Sequence, residues 1–467
     1  MTTLESEPAR PGRQAPPSLR DQLAAGRAVR KQVPRDALAD LVPDGRDPMA
    51  ILDEQDADRL RELVSIRAER MAANPFAFFR GTAGLMAADL ARSPHTGLTV
   101  GSCGDAHVSN FGLYASPQRT LVFDLNDFDE AAWAPWEWDL KRLVTSIVIA
   151  GQSTSRDDGL VSSAARSAVV TYARGLHNAV KRGPLRRYYD RFDAVAAAAA
   201  DPESRRALRH AIRNAEKHTG ALAAKRLTTM GKSGRLKFVE SPPTMTRVDR
   251  AVATRVGDVY GDYVRSASVD IRVLLQNYAI ADVARRVVGV GSVGTRCYLL
   301  GLQDGDDNAL LLQAKEAGTS VLIRYGGASQ PVAVSQYIDE FGDGGRVVAM
   351  QRVLQAVSDP FLGHLRGVDA QGTDRAFYVR QFHDMKGGFD MDTLEDEAFL
   401  WYADACAATL ARAHSQSPDA ATVAGYVGRG GRAAEAILAW SYAYAALSRA
   451  DWELFRSHRR IAEPATA

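Results

Sequence analysis

The alternation of hydrophobic and polar residues predicts helices towards both ends of the chain and a group of strands between them. Apolar residues recur at helical spacing over residues 56–73, 84–91, 140 to about 224, 345–356, 394–414 and 431 towards 455. Short apolar stretches bounded by turn residues predict strands at 98–100, 121–123, 286–300 (two strands around a glycine-rich turn), 309–315 and 375–381. A basic, glycine-containing stretch at 225–239 predicts a β-hairpin. The pattern therefore predicts an α+β fold, with most strands near residues 285–385.

Composition and charge narrow the class of protein. The chain has 467 residues, of which 46% are hydrophobic and 24% are charged, as in ordinary globular proteins. Because 58 Lys and Arg residues nearly balance 56 Asp and Glu residues, the net charge of +2 gives no reason to expect nucleic acid or a membrane as a partner. The three cysteines lie far apart, which favours a reducing compartment. With no signal-peptide pattern in the first twenty residues, we expect a cytoplasmic protein that begins with a disordered tail over residues 1–44.

Two clusters of acids and amides each follow a short apolar stretch. They are Gly104–Asn110, which reads GDAHVSN, and Asp124–Glu130, which reads DLNDFDE. A hydrophobic core rejects ionised carboxylates unless they are paired or bound to a metal. Oxygen-rich clusters of this kind suit Mg²⁺, which takes one or two carboxylates and completes its shell with water and phosphate oxygens. The sequence therefore predicts a magnesium site that handles phosphate.

A glycine-rich turn and a lysine provide a second sign of phosphate chemistry. Gly289, Gly291 and Gly294 form a GxGxxG pattern, but residues typical of a strand follow it, so a dinucleotide-binding strand–turn–helix is excluded. A glycine turn between two strands is the device with which kinases cover ATP phosphates, and the next strand then carries a lysine. Lys315 stands at that place in the predicted strand 309–315. The alternative is a structural salt bridge from Lys315, for example to Glu316.

The spacing within the acidic clusters also fits kinase chemistry. In kinase catalytic loops an Asp accepts the proton of the acceptor hydroxyl, and an Asn five residues later binds metal. Asp105 and Asn110 have this spacing. Asp127-Phe128-Asp129 fits the metal-binding turn that follows a strand in the same enzymes.

These motifs resemble a known group of enzymes. Gly104–Asn110 resembles the HGDxHxxN loop of aminoglycoside phosphotransferase-like kinases, with Cys103 in place of the leading His, and Asn126–Asp129 resembles their metal-binding IDF turn. Asp139 stands where a second Asp follows in that group, and we expect it to brace the catalytic loop. In ordinary members the glycine turn and the lysine precede the catalytic loop, whereas here they follow it. The resemblance thus implies a protein-kinase-like two-lobe fold that is circularly permuted.

Motifs along most of the chain are similar to those of one bacterial family. Phe79-Arg80-Gly81, GDAHxxNFG, DFDE, GVGSVG and LQAKEA resemble the family filed as domain of unknown function 2252, over residues 45–460. Together the two resemblances divide the chain into a tail and four parts. These are a catalytic-loop part of the C-lobe (45–150), a helical insertion with the basic hairpin (151–280), a nucleotide-binding N-lobe (281–385) and the helical remainder of the C-lobe (386–467).

The resemblance implies an ATP- and Mg²⁺-dependent phosphotransferase acting on the hydroxyl group of an unknown small molecule. Asp105 would take the acceptor proton, and the implied Mg²⁺ ligands are Asn110, Asp127 and Asp129. The phosphates would be held by Gly289, Gly291, Ser292, Gly294 and Lys315.

One difference from the kinase pattern leaves other functions possible. The predicted helix 345–356 has no Glu to pair with Lys315, only Gln351 and Gln355, with Glu340 just before it. The alternatives are a nucleotide-binding pseudokinase, a regulator that transfers AMP, and a metal-dependent phosphoesterase.

Overall fold

The structure of the protein is a computed structural model that describes residues 15–195, 201–287, 289–369, 372–382 and 385–460. Its fold is α+β. The helices of the N-terminal half are α1 (Leu19–Val29), α2 (Pro48–Ala57), α3 (Arg61–Ala72), α4 (Pro75–Arg80), α5 (Ala83–Arg92), α6 (Trp136–Ser153), α7 (Asp158–Val180) and α8 (Pro184–Tyr189). Those that follow are α9 (Pro202–Glu216), α10 (Gly220–Leu227), α11 (Arg250–Ser266), α12 (Val269–Leu275), α13 (Val321–Arg324), α14 (Val332–Leu354), α15 (Asp396–His414), α16 (Ala420–Val427) and α17 (Gly431–His458).

The strands form one large sheet and three two-stranded ribbons. The ribbons pair β1 (Thr99–Ser102) with β4 (Ala132–Pro135), β2 (Phe111–Ala115) with β3 (Leu121–Leu125), and β5 (Thr228–Met230) with β6 (Leu236–Phe238). The large sheet contains β7 (Met245–Arg247), β8 (Ala279–Arg286), β9 (Cys297–Gln303), β10 (Ala309–Ala317), β11 (Gly363–Val368) and β12 (Asp374–Gln381). Its order is β11-β12-β10-β9-β8-β7, and all neighbours are antiparallel.

The largest hydrophobic core lies among the helices and the β1–β4 region. Helix α6 is buried along nearly its whole length, and α7 and α15 pack closely against each other. Trp136 at the start of α6 stacks on Tyr172 of α7, with ring centroids 5.8 Å apart. The two acidic clusters are attached to this core, because Val108, Phe111, Leu125 and Phe128 are all buried in it. A rigid scaffold thus holds the loops that carry the polar residues.

Side chains of the large sheet alternate between two apolar layers, as the period of a strand requires. Leu310, Leu312 and Ala314 of β10 face a core formed with α11 and α12. Leu311 faces the opposite layer, which contains Phe238 of the β5–β6 ribbon and Ala224 of α10. Lys315 has the same parity as Leu311, whereas Glu316 belongs to the other face.

Most elements predicted from the periodicity are confirmed. The structure contains the helix at Ala83–Arg92, the strands after residues 98 and 120, the meander β8–β9–β10, strand β12 and the long helices α15 and α17. The basic segment forms the antiparallel ribbon β5–β6, as predicted. The predicted helix 345–356 is the second half of α14, which begins at Val332 and is interrupted at Gly342, where φ is +71°.

Two predicted segments differ from the structure. Residues 1–14 of the predicted disordered tail lie outside the described residues, but residues 19–29 form helix α1, which packs against α16. Gly26 and Gly425 allow this close approach, since a Cβ on either glycine would overlap backbone atoms of the other helix. The prediction of disorder up to residue 44 is therefore wrong for this part. It relied on polar composition and missed the small residues that let a polar helix dock.

The segment 151–280, predicted as a helical insertion, is divided between the main helical core and the large sheet. Helix α7 contributes Val161, Tyr172 and Leu176 to the main helical core, so it is not inserted into that core but is part of it. Further along, α11 and α12 cover one face of the large sheet, and β7 extends its edge. Among the helices that the structure describes, none is long and apolar enough to cross a membrane.

Candidate active site

A cleft of about 510 Å³ lies where the acidic loops meet the glycine turn that joins β8 to β9. Its walls include most of the residues that the sequence singled out, namely Asp105, Asn110, Asp127, Asp129, Gly289, Gly291 and Ser292. Lys315 lies behind this wall and is 3% exposed. Gly294 is turned towards the junction of α2 and α3, where its carbonyl oxygen accepts a hydrogen bond from the Leu60 amide.

The loop that carries Asp105 is fixed by hydrogen bonds from its backbone to a buried carboxylate. The backbone amides of Cys103 and Gly104 donate to Asp139 at 2.7 and 3.0 Å, and Nε2 of His414 lies 3.2 Å from the same carboxylate. Gly104 has φ of +80°, and a Cβ there would overlap the carbonyl oxygen of Glu130. The expected bracing role of Asp139 is confirmed, and Gly104 brings the two acidic clusters into direct contact.

Asp105 points into the cleft and is fixed by one arginine. Nε of Arg142 donates to Oδ1 of Asp105 at 2.8 Å, and the same guanidinium donates to the Phe79 carbonyl oxygen. Burial raises the pKa of Asp105 to about 6, although the Arg142 charge acts in the opposite direction. His107 lies beside it, with Nε2 3.6 Å from Oδ2 of Asp105, and burial lowers its pKa well below the usual value, so the imidazole is neutral.

Asn110 and Asp127 each have a side-chain oxygen that accepts no hydrogen bond from another described residue and could hold a cation. The Asn110 amide nitrogen donates to the Asp105 carbonyl oxygen at 2.8 Å, which leaves the side-chain oxygen available. Oδ1 of Asp127 is buried and has no hydrogen-bond partner in the part of the chain that the structure describes. Burial would raise the pKa of Asp127, but the charges of Lys315, Arg380 and Lys386 outweigh it and hold the pKa at about 2. An ionised oxygen without a hydrogen bond, in the same cleft as an amide oxygen, fits a hard cation.

Asp129 has a different environment. Its Oδ2 lies 2.5 Å from Nζ of Lys315, and its Oδ1 accepts a hydrogen bond from the Tyr378 hydroxyl at 2.6 Å. Both oxygens are therefore engaged in this arrangement, and the role of Mg²⁺ ligand that the resemblance implies for Asp129 stays a prediction.

The partner of Lys315 is thus an acid of the second cluster. Besides Asp129, Oδ1 of Asp127 lies 3.9 Å from Nζ. Burial alone would lower the pKa of Lys315, but the two carboxylates raise it well above its ordinary value. Glu316, the alternative partner, lies on the opposite face of β10 and pairs with Arg296 and Arg375.

The three side chains in or next to α14 that were candidates to pair with Lys315 do not pair with it. Gln351 donates to Gln355, which donates to the Leu125 carbonyl oxygen, and Glu340 is exposed. The side chain of α14 that reaches the acidic turn is Arg346, a residue that sequence reasoning missed. It is 1% exposed and donates to the carbonyl oxygens of Asp129, Ala131 and Gly318. A glycine pair before it was the only local sign that this part of the helix approaches other backbone closely.

The glycine turn is packed directly against helix α4. Gly289 has φ of +70°, and a Cβ on Gly291 would lie 3.3 Å from the Arg80 carbonyl oxygen. The chain can therefore cover the cleft closely at this point, with backbone in place of side chains. Glu130, at the other side, accepts a hydrogen bond from the Val321 amide, and burial raises its pKa to about 7.

No group of three His, Cys, Asp or Glu side chains converges as a metal site among the described residues. Mg²⁺ takes only one or two carboxylates from a protein, so Asp127 with Asn110 remains a sufficient pair of ligands for an ion that also binds phosphate.

Comparisons with known proteins give one finding. Neither the curated proteins nor the solved structures contain a match to this chain. A family model does match, and it covers residues 59–458, which include every residue of the cleft described above except Asp58 and Gln55. The chain belongs to the bacterial family described as "Uncharacterized protein conserved in bacteria (DUF2252)".

Proposed function

We propose that the protein is an ATP- and Mg²⁺-dependent phosphotransferase of circularly permuted kinase-like fold, acting on the hydroxyl group of a small molecule. The observation that carries this proposal is the convergence of the acidic clusters with the glycine turn. Lys315 and Asp129 are 186 residues apart in sequence, yet their charged atoms are 2.5 Å apart. The glycine turn and the two acids Asp105 and Asp127 line the same cleft.

The order of elements around the cleft supports the kinase-like part of the proposal. Strand β8, the glycine turn, β9, the lysine strand β10 and helix α14 follow one another, which is the order of the nucleotide-holding part of a kinase. The loop with Asp105 and Asn110 and the turn with Asp127 precede these elements. A permuted chain would have this order, because a cleft depends on which elements meet and not on which comes first.

The chemistry assigned to each side chain follows from its surroundings. Asp105, held by Arg142, would accept the proton of the acceptor hydroxyl while the hydroxyl oxygen bonds to phosphorus and the bond to the ADP oxygen breaks. With a pKa of about 6 the carboxylate is ionised at neutral pH and still basic enough to take a proton. Asn110 and Asp127 would hold Mg²⁺, which neutralises phosphate charge when bound. Lys315 keeps Asp127 ionised, and the backbone of the glycine turn would cover the phosphates.

A second candidate is a nucleotide-binding protein that does not transfer phosphate. The observation in its favour is the pairing of Lys315 with Asp129, together with Arg346 at the place where α14 approaches the acidic turn. A lysine fully engaged by acids is less available to a nucleotide. A regulator that transfers AMP would use the same cleft.

The test compares two amide variants of the neighbouring acids. We expect the protein to bind a non-hydrolysable ATP analogue in the presence of Mg²⁺ and to lose this binding in EDTA, as measured by titration calorimetry. Asp127→Asn removes charge from the metal site and should weaken the binding by at least about tenfold. Asp105→Asn should leave the binding within about twofold and lower ATP turnover by about 10²- to 10⁴-fold.

Each contrary result has its own meaning. Lack of nucleotide binding at any Mg²⁺ concentration would refute the proposal. Binding without turnover by the unaltered protein would favour the non-transferring candidate. Equal loss of binding in the two variants would make Asp105 a metal ligand, as in a metal-dependent phosphoesterase.

A further inference from the structure

One arginine of the cleft has no hydrogen bond or ion pair from its guanidinium to another described residue. Arg80, the last residue of α4, lines the cleft, and its buried Nε has no hydrogen bond. Among the described residues, none lies within hydrogen-bond or ion-pair distance of its guanidinium. Other arginines of the same cleft are paired, since Arg59 lies 3.8 Å from Asp56, Arg324 lies 2.6 Å from Glu54 and Arg375 lies 3.0 Å from Asp369. A guanidinium offers five donors, so leaving it unpaired while it is partly buried is unfavourable unless an anion arrives.

The position of Arg80 is fixed by the packing of α4. Asn74 caps this helix and Pro75 begins it, while Phe78 and Phe79 are completely buried. Arg142, which holds Asp105, also donates to the Phe79 carbonyl oxygen and lies 3.9 Å from the centre of its ring. The carbonyl oxygen of Arg80 faces Gly291 of the glycine turn. Arg80 is therefore tied both to the residue that orients Asp105 and to the turn that would cover phosphates.

Two carboxylates of the cleft act electrostatically on Arg80 and indicate which part of the cleft its guanidinium serves. Asp105 and Asp127 are the two carboxylates that act on its guanidinium, while burial lowers its pKa. These two acids also repel each other, because Asp127 raises the pKa of Asp105. A phosphoryl group placed between the proton acceptor and the metal ligand would meet two negative charges, so it needs a cation besides Mg²⁺ at that place.

We infer that Arg80 is a catalytic residue that binds the transferable, terminal phosphoryl group of the nucleotide. The inference rests on the proposed function and goes beyond it, because it assigns recognition of the third phosphate to a side chain outside the glycine turn and the metal site. Arg80 is pre-positioned by helix α4, and its donors are free until the nucleotide binds. Its fork of N–H groups suits phosphate oxygens better than a lysine would.

The experiment compares nucleotides with and without that third phosphate. Calorimetry with Mg²⁺ and the imido analogue of ATP is set beside calorimetry with Mg²⁺ and ADP, for the unaltered protein and for Arg80→Met. We expect the variant to lose about 10- to 100-fold in affinity for the ATP analogue and less than about threefold for ADP, as charge-assisted hydrogen bonds to one phosphate would give. Arg324→Met is the matched control, because Arg324 lines the same cleft but is paired with Glu54. It should leave the ratio of the two affinities unchanged.

The unfolding temperature is a second measurement, which separates phosphate binding by Arg80 from a purely structural role of this side chain. Because Arg80 has no hydrogen bond or ion pair to another described residue, Arg80→Met should unfold at the same or a higher temperature than the unaltered protein without nucleotide. Arg80→Lys keeps the charge and should restore part of the preference for the ATP analogue. Two results for Arg80→Met would overturn the inference and leave the proposed function in place. One is an unchanged ratio of the affinities for the ATP analogue and ADP, and the other is a clearly lower unfolding temperature. If the unaltered protein binds neither nucleotide, the proposed function itself fails.

Discussion

Replacing Lys315 by methionine tests the contact that joins the large sheet to the acidic turn. Methionine keeps most of the length and volume of the side chain and removes its charge and its hydrogen-bond donors. In the folded protein, Lys315 is 3% exposed, 2.5 Å from Asp129 and 3.9 Å from Asp127. After the change, Asp129 keeps the hydrogen bond from Tyr378. Oδ1 of Asp127, which already has no hydrogen bond among the described residues, also loses its ion pair with Lys315.

The loss of stability should be about 3 kcal/mol. Removal of one partner from a buried ion pair costs about 3–5 kcal/mol, because the remaining charge is left without compensation. The lower end of that range applies here, since 38% of the Asp127 side chain and 23% of the Asp129 side chain remain exposed on the cleft side. Water can therefore hydrate part of the carboxylates that lose their partner.

The predicted loss depends on pH in a definite direction. The folded-state pKa of Asp127 is about 2, below its ordinary value of 3.8, so its contribution to stability is present above pH of about 4 and is lost as the pH falls towards 2. The difference in unfolding free energy between the unaltered protein and Lys315→Met should therefore be largest at neutral pH and decrease in acid. Measurements in EDTA without nucleotide keep metal binding out of the comparison.

Lys141 offers a matched control on another buried lysine. It is 1% exposed and lies 4.5 Å from the ring centre of Trp440, but burial lowers its pKa to about 8 despite the charges of Glu137 and Asp40. Its charge is thus unfavourable at neutral pH, and Lys141→Met should change stability by less than about 1 kcal/mol or increase it. Urea denaturation of both variants gives the comparison. If Lys315→Met costs no more than Lys141→Met at pH 7, the pair with Asp129 does not stabilise the fold and the reasoning is refuted.

Two further changes test how Asp139 fixes the loop that carries Asp105 and how the first helix docks. Asp139→Asn should lower stability by about 1.5–3 kcal/mol in urea denaturation, because two backbone amides lose a charged acceptor; a change below about 0.5 kcal/mol would contradict this. Gly26→Ala should detach α1 from α16 at a cost of about 1–3 kcal/mol, seen as faster proteolysis within residues 15–44. Gly431→Ala, at an open position at the start of α17, should not expose α1.

Local patterns predicted the elements well and their boundaries less well. The glycine-rich stretch at 286–300 has apolar residues on both sides and no helical period, so its strand–turn–strand form could be predicted and is observed. Helix α14 was predicted too short because its first turns are weakly patterned and Gly342 interrupts it. Helix α1 was missed because its docking depends on Gly26 and Gly425, which are about 400 residues apart in sequence.

The spacing of the acidic clusters predicted which residues meet but not how they are paired. Asp105 and Asn110 could be related through a five-residue spacing, and the structure joins them by a hydrogen bond. The arginines around them could not be identified in this way, because Arg142 and Arg346 are ordinary helix residues in sequence. Their roles depend on the packing of α6 and α14 against the loops. Long-range ion pairs of this kind leave no periodic signal along the chain.

The aspartates of the two acidic loops, Asp105, Asp127 and Asp129, are chemically the same residue and differ through their surroundings. Asp105 is buried beside Arg142 and has a pKa of about 6, whereas Asp127 faces three positive charges and has a pKa of about 2. At a pH between these two values, Asp127 stays ionised while Asp105 can still exchange a proton, as the proposed function would require of a cation ligand and a proton acceptor. Asp129 takes neither role here, because Lys315 and Tyr378 engage both of its oxygens. In the proposed function, a nucleotide that drew Lys315 towards its phosphates would free one oxygen of Asp129, so any role of Asp129 as a cation ligand would depend on nucleotide binding.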